Sequence, residues 1–109
     1  MMSIITVTKD NFTSEVQSAG KPVLIDFWAP WCGYCKRLSS VIDTVAGSYE
    51  DKLIVGKINV DEHEELEDRF EVMTLPTLLL FKDGKPGEPL VNPGSRSEID
   101  SWLTEQGVQ

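Results

Sequence analysis

The chain alternates between two hydrophobic periods. Residues 3–7 are rich in β-branched side chains and are expected as a short first strand. Phe12, Val16 and Ala19 follow at helical spacing, with Thr8 as the expected cap and Gly20 as the stop. Residues 23–28, Val-Leu-Ile-Asp-Phe-Trp, are apolar apart from one carboxylate, the pattern of a central strand covered on both faces. Leu38, Val41, Ile42 and Val45 then mark one face of a long helix that begins near Cys32 and has Gly47 near its end. Residues 53–60 read as a third strand, interrupted by Lys57 much as Asp26 interrupts the second. Asp61 is expected to cap a short acidic helix in which Leu66 and Phe70 lie four apart. Residues 77–81 form a fourth strand, and Asp83-Gly84 is a turn signal. Pro86 and Pro89 demote residues 85–92 to an edge strand, short or bulged. Ser95 or Ser97 caps a last helix with Ile99, Trp102 and Leu103 facing inward.

The element order β-α-β-α-β-α-β-β-α predicts an α/β fold: a mixed central sheet of about five strands, flanked on both faces by about four helices. With 109 residues, the expectation is one domain over 1–109, monomeric by default. A net charge of −8 argues against nucleic acid as a partner, because phosphate binding needs a basic patch. Most of the excess acid lies in residues 61–71, which read as a solvated helix face. No apolar run approaches the roughly 18 residues of a membrane span, and the start lacks a basic, apolar leader, so a cytoplasmic protein is expected.

The candidate chemistry lies in Trp31-Cys32-Gly33-Tyr34-Cys35-Lys36. The chain has two cysteines, and two residues separate them. Residues i and i+3 at a helix start share a face and come close enough for a disulfide. The first thiol sits at the helix N-terminus, where free N–H groups favour a thiolate, and Lys36 and Arg37 add positive charge. A closed zinc site needs four ligands, and only His63 remains to join the cysteines, so no metal or cofactor is expected. A purely structural disulfide closing so short a loop would remove little entropy from the unfolded chain. The pair therefore reads as redox-active. A carboxylate inside an apolar strand must be paired or protonated, or else face water at a strand end. If buried, Asp26 has a raised pKa and is a plausible proton acceptor for Cys35, with Lys57 as a counter-charge one strand over.

Over nearly its whole length the chain resembles a thioredoxin. The resemblance rests on Asp26-Phe27-Trp28-Ala29-Pro30-Trp31-Cys32-Gly33-x-Cys35-Lys36, Lys57-Ile58-Asn59-Val60-Asp61, Leu75-Pro76-Thr77-Leu78-Leu79-Leu80-Phe81 and Lys82-Asp83-Gly84. It implies the thioredoxin fold and reduction of protein disulfides, with a thioredoxin reductase as electron donor. It makes Cys32 the attacking thiolate and Cys35 the resolving thiol, the order that the helix N-terminus also favours. It implies that Asp26 lies buried behind the resolving thiol. Pro76 is expected to be cis beside the disulfide, leaving the backbone of Leu75 free to pair with substrate. Trp31, Gly33, Tyr34 and Asn92 border the expected substrate groove, with Trp31 as its wall; Trp28 is scaffold.

The chain departs from the family where Tyr34 replaces the usual proline. Removing proline permits more N–H donation toward sulfur, so a more oxidising pair is expected; opposing this, a bulky tyrosine can shield the disulfide. Glutaredoxins carry tyrosine at that place, but the glutathione-site residues of that family are not apparent. Ser40 stands where many thioredoxins have a helix-kinking proline. Val91-Asn92-Pro93-Gly94 replaces an apolar-Gly pair, with Asn92 or Gly94 standing in for the glycine, and Met73-Thr74 before Leu75 is also unusual. The alternatives are a more oxidising oxidase or isomerase, a glutathione-coupled reductase, and a redox-silent binding module.

Overall fold

The computed structural model describes residues 4–108, so the Ser3 end of the first expected strand lies outside the described residues. Six strands make one mixed sheet: β1 (Ile4–Thr6), β2 (Val23–Trp28), β3 (Ile54–Asn59), β4 (Thr77–Lys82), β5 (Lys85–Pro86) and β6 (Leu90–Val91). They lie in the order β1-β3-β2-β4-β5, with β6 also paired to β4. The strands β1, β3 and β2 are parallel, whereas β4 runs antiparallel to β2 and to both short strands. The helices are α1 (Gly33–Ser48), α2 (Glu64–Arg69) and α3 (Arg96–Glu105), with a π-helical turn at Thr13–Gln17. The α/β fold class expected from the element order is the one observed.

Strand parity builds two cores. Val23, Ile25 and Phe27 of β2 and Leu79 and Phe81 of β4 pack with Phe12, Val16 and Leu66 on one face of the sheet. Leu24, Leu78 and Leu80 pack on the other against Leu38, Ile42 and Val45 of α1 and Ile99, Trp102 and Leu103 of α3. Because side chains alternate faces along a strand, Asp26 shares its face with Leu24, which is the α1 side. The ladder pairs Leu24 with Val55 and Asp26 with Lys57. A one-residue slip would send both ionisable groups to the opposite core.

Several local expectations change. The helix expected after β1 shrinks to the π-helical turn, and Phe12, which has no side-chain cap bond, stands at its start. Thr8 instead closes the preceding turn reciprocally: its N–H donates to Asn11 Oδ1 at 2.7 Å, and Asn11 N–H donates to Thr8 Oγ1 at 3.2 Å. These short side-chain bonds compete with helix. Asp61 does not cap α2. His63 occupies the cap position without a side-chain bond, and the Asp61 carboxylate accepts from Trp31 Nε1 at 3.1 Å. The proline-bearing edge is two strands of two residues each, because Pro86 and Pro89 lack the N–H groups a longer ladder requires. Asp83 (φ 52°) and Gly84 (φ 79°) make the tight turn that joins β4 to β5. Ser95 caps α3, its Oγ accepting from Glu98 N–H. Helix α1 runs unbroken through Ser40.

Gly56 marks the closest approach in the sheet. A Cβ there would lie 2.8 Å from Val7 Cγ2, 3.1 Å from Ile25 Cδ1 and 3.3 Å from the Ile5 carbonyl oxygen. Gly56→Ala is expected to lower stability by about 1–3 kcal/mol through overpacking, read from urea unfolding. An unchanged midpoint would mean that Val7 and its neighbours yield without cost.

Candidate active site

Strand β2 ends at Trp28, and the chain turns through Ala29-Pro30-Trp31 into α1. Cys32 is the N-cap, extended at φ −86° and ψ 107°, and Cys35 lies in the first turn. The two are joined as a disulfide with Cα atoms 5.2 Å apart. Cys35 N–H donates to Cys32 Sγ at 3.1 Å. That sulfur occupies the place where capping residues put an oxygen, so after reduction it stands for a thiolate held by a helix N-terminus. Both cysteines are buried and belong to the core cluster that contains Phe27, Val60 and Leu66.

Behind the disulfide lies Asp26, 1% exposed, with Oδ1 lacking a hydrogen-bond partner. Burial pushes its carboxyl up to about 7, against a smaller downward pull from the Lys57 charge. The Lys57 ammonium also donates to Ser39 Oγ at 3.0 Å. Asp26, Cys35, Lys36, Ser39, Lys57 and Trp28 together line a cavity of about 150 Å³. The carboxyl and the second cysteine therefore share one space, wide enough to admit water.

Leu75 packs against the core cluster that contains both cysteines, and the peptide bond between it and Pro76 is cis. Asn92 N–H donates to the Pro76 carbonyl at 2.8 Å, tying the loop after β6 to the proline. Asn92 has φ 45°, so it, and not Gly94, adopts the left-handed backbone. Four large apolar side chains are exposed: Trp31 (70%), Tyr34 (57%), Met73 (94%) and Val91 (50%). Trp31 precedes Cys32 and Tyr34 precedes Cys35 in sequence, Met73 precedes the Leu75-Pro76 bond, and Val91 pairs with Thr77 just after it. Gly33 is exposed, with open space where a Cβ would project.

Of the residues singled out from the sequence, Asp26, Trp28, Cys35, Lys36 and Lys57 line one cavity, and Tyr34 and Asn92 line another. Pattern reading missed Ser39, which takes the Lys57 ammonium, and the pairing of Trp31 with Asp61. A motif match carries no signal for either. It also missed the Arg37 guanidinium over the Tyr34 ring, 5.2 Å from its centroid, although the i, i+3 spacing allows that contact. Among the described residues no group of His, Cys, Asp and Glu is arranged to hold a metal, and no helix is long and apolar enough to cross a membrane.

The thioredoxin family model matches residues 3–105. A thioredoxin from Alicyclobacillus acidocaldarius is 40% identical over 101 residues, covering 93% of this chain and 95% of the relative. One from Pseudomonas aeruginosa is 42% identical over 100 residues, covering 92% and 93%. One from Staphylococcus haemolyticus is 46% identical over 90 residues, covering 83% and 85%.

Proposed function

Because the chain belongs to the thioredoxin family and is a protein thiol–disulfide oxidoreductase, we propose that it works chiefly as a reductase of protein disulfides through Cys32 and Cys35. The carrying observation is the Cys35 N–H donated to Cys32 Sγ at the N-cap, which favours Cys32 as the thiolate. Cys32 attacks one sulfur of the substrate disulfide and releases the other as a thiolate, leaving a mixed disulfide. Cys35 passes its proton to Asp26 through their shared cavity and attacks Cys32 Sγ. The substrate's second thiolate then leaves, and Cys32–Cys35 is oxidised. Trp31, Gly33, Tyr34, Leu75, Pro76 and Asn92 form the substrate-facing surface, where the Leu75 backbone offers hydrogen bonds to an extended segment. Lys36 adds positive charge near the thiolate, and Trp28 supports the turn. The chain acts as a monomeric single domain in the cytoplasm, re-reduced by a thioredoxin reductase.

Tyr34 in place of proline makes the pair more oxidising than an ordinary thioredoxin's. The test is the reduction potential of Cys32–Cys35, equilibrated in defined thiol buffers and quenched by alkylation. The expected value lies above the roughly −270 mV of thioredoxin by about 30 mV, which is ~1.4 kcal/mol for two electrons. A value at or below −270 mV, thioredoxin's own level, would keep the reductase and remove the role given to Tyr34. A value near the roughly −180 mV of protein disulfide isomerase would shift the chain to oxidation or isomerisation. No exchange at all would leave only a binding module.

A further inference from the structure

We propose that the cleft between the first turns of α1 and the loop before α3 is a carboxylate subsite, in which Arg37, Tyr34 and Asn92 select protein disulfides flanked by an acidic residue. The inference rests on the reductase reading above and assigns its substrate preference. The cleft holds about 190 Å³, and its lining includes Tyr34, Arg37, Leu38, Val41 and Asn92. Leu38 and Val41 give it an apolar floor. Three of the lining residues carry side-chain donors: the Arg37 guanidinium, the Tyr34 hydroxyl and the Asn92 amide. Among the described residues none of the three has a hydrogen-bond partner, and no carboxylate lies within 4 Å of Arg37.

Other arginines are engaged. Arg96 donates to Asp100 at 3.0 Å, and Arg69 lies over the Phe12 and Phe70 rings. Among the described residues Arg37 rests only on the Tyr34 ring, which limits the motion of a long side chain and leaves the planar fork free for a carboxylate. The Asn92 backbone is held in the left-handed region and by its N–H bond to the Pro76 carbonyl. A free guanidinium beside the redox pair stands out in a chain of net charge −8. The other exposed aromatic next to a cysteine, Trp31, carries the reverse sign, because its indole N–H donates to the Asp61 carboxylate. An acidic flanking residue is therefore attracted on the Tyr34 side and repelled on the Trp31 side, and complementarity of this kind sets partner choice.

The test compares kcat/KM for matched synthetic peptide disulfides carrying Glu or Gln beside the cysteine, on either side of it, at low and at high salt. At low salt the Glu peptide is expected to lead by about three- to fivefold from one side only, as for a solvent-facing ion pair. High salt should shrink the lead. Arg37→Gln should bring the ratio close to one, whereas Lys52→Gln, remote from the cleft, should leave it unchanged. Each variant supplies its own reference in the Gln peptide, so a general loss of fold would not imitate the result. A ratio of one in the parent chain, or a ratio that survives Arg37→Gln, overturns the subsite alone. A carboxylate advantage seen with glutathione disulfide and with neither peptide also overturns it, in favour of a small disulfide. Failure to reduce either peptide overturns the reductase reading with it.

Discussion

Replacement of Cys32 by serine is expected to lower disulfide reduction by at least about 10³-fold, because the hydroxyl has no accessible anion at neutral pH and covalent exchange has no other nucleophile. The chain contains two cysteines, and the second is expected to act only after the first has formed a mixed disulfide. Cys35→Ser provides the complement: it should still attack substrate, then stall with the substrate bound to residue 32. Mass spectrometry after alkylation reads both outcomes, a trapped adduct for Cys35→Ser and none for Cys32→Ser. An adduct of equal yield in both variants would reverse the order read from the N-cap geometry. Folding should tolerate either change in the reduced state, since serine fills less volume than cysteine and can still accept the N–H of residue 35 at the cap.

Asp26→Asn is expected to stabilise the protein at alkaline pH and to do little at acid pH. The folded carboxyl titrates at about 7, whereas the unfolded value is 3.8. Below about pH 4 the group is protonated in both states, and its ionisation has no effect on stability. Between 4 and 7 the unfolded chain ionises while the folded one holds its proton, so the folded state binds more protons and stability falls as pH rises. The loss levels off above about pH 8. A separation of about three units at ~1.4 kcal/mol each sets an upper bound of about 4 kcal/mol. Urea unfolding at pH 4, 6 and 8 should show the parent chain losing stability over that range and the asparagine variant holding level. Parallel curves would show that Asp26 is solvated or paired in the folded protein. The same variant should slow resolution of the mixed disulfide by about 10²-fold, as loss of a positioned general base does.

Much of this was legible in the residues. The apolar run at 23–28 with one carboxylate located a central strand and its buried acid, and the α1 stripe at Leu38, Val41, Ile42 and Val45 located the helix that covers them. The C-x-x-C spacing at their junction located the redox pair. Legibility failed where short polar side chains choose between equivalent partners. Asp61 had the composition of a helix cap, yet it bonds to an indole thirty positions upstream, a contact created only by the sheet bringing β2 and β3 together. Thr8 had the same composition and closes a turn with Asn11. Lys57 was expected one strand over from Asp26, and the ladder pairs the two, but the pattern does not reveal that Ser39 of α1 accepts from the ammonium. The edge at residues 85–92 was legible from its prolines, but its division into two strands of two residues was not, because strands so short carry no periodicity.

The burial of both cysteines within one of the two cores links folding to redox state. Folding and oxidation form the sides of a closed thermodynamic cycle, so the free energies around it must sum to zero. Whatever separates the reduction potential of the folded protein from that of the same two cysteines in the unfolded chain must equal the difference in stability between the oxidised and reduced forms. A residue such as Phe27 or Leu66, which touches no substrate, can therefore tune the potential by packing more favourably around one oxidation state than the other. For this protein, a pair of denaturation curves, one for each form, is also an electrochemical measurement.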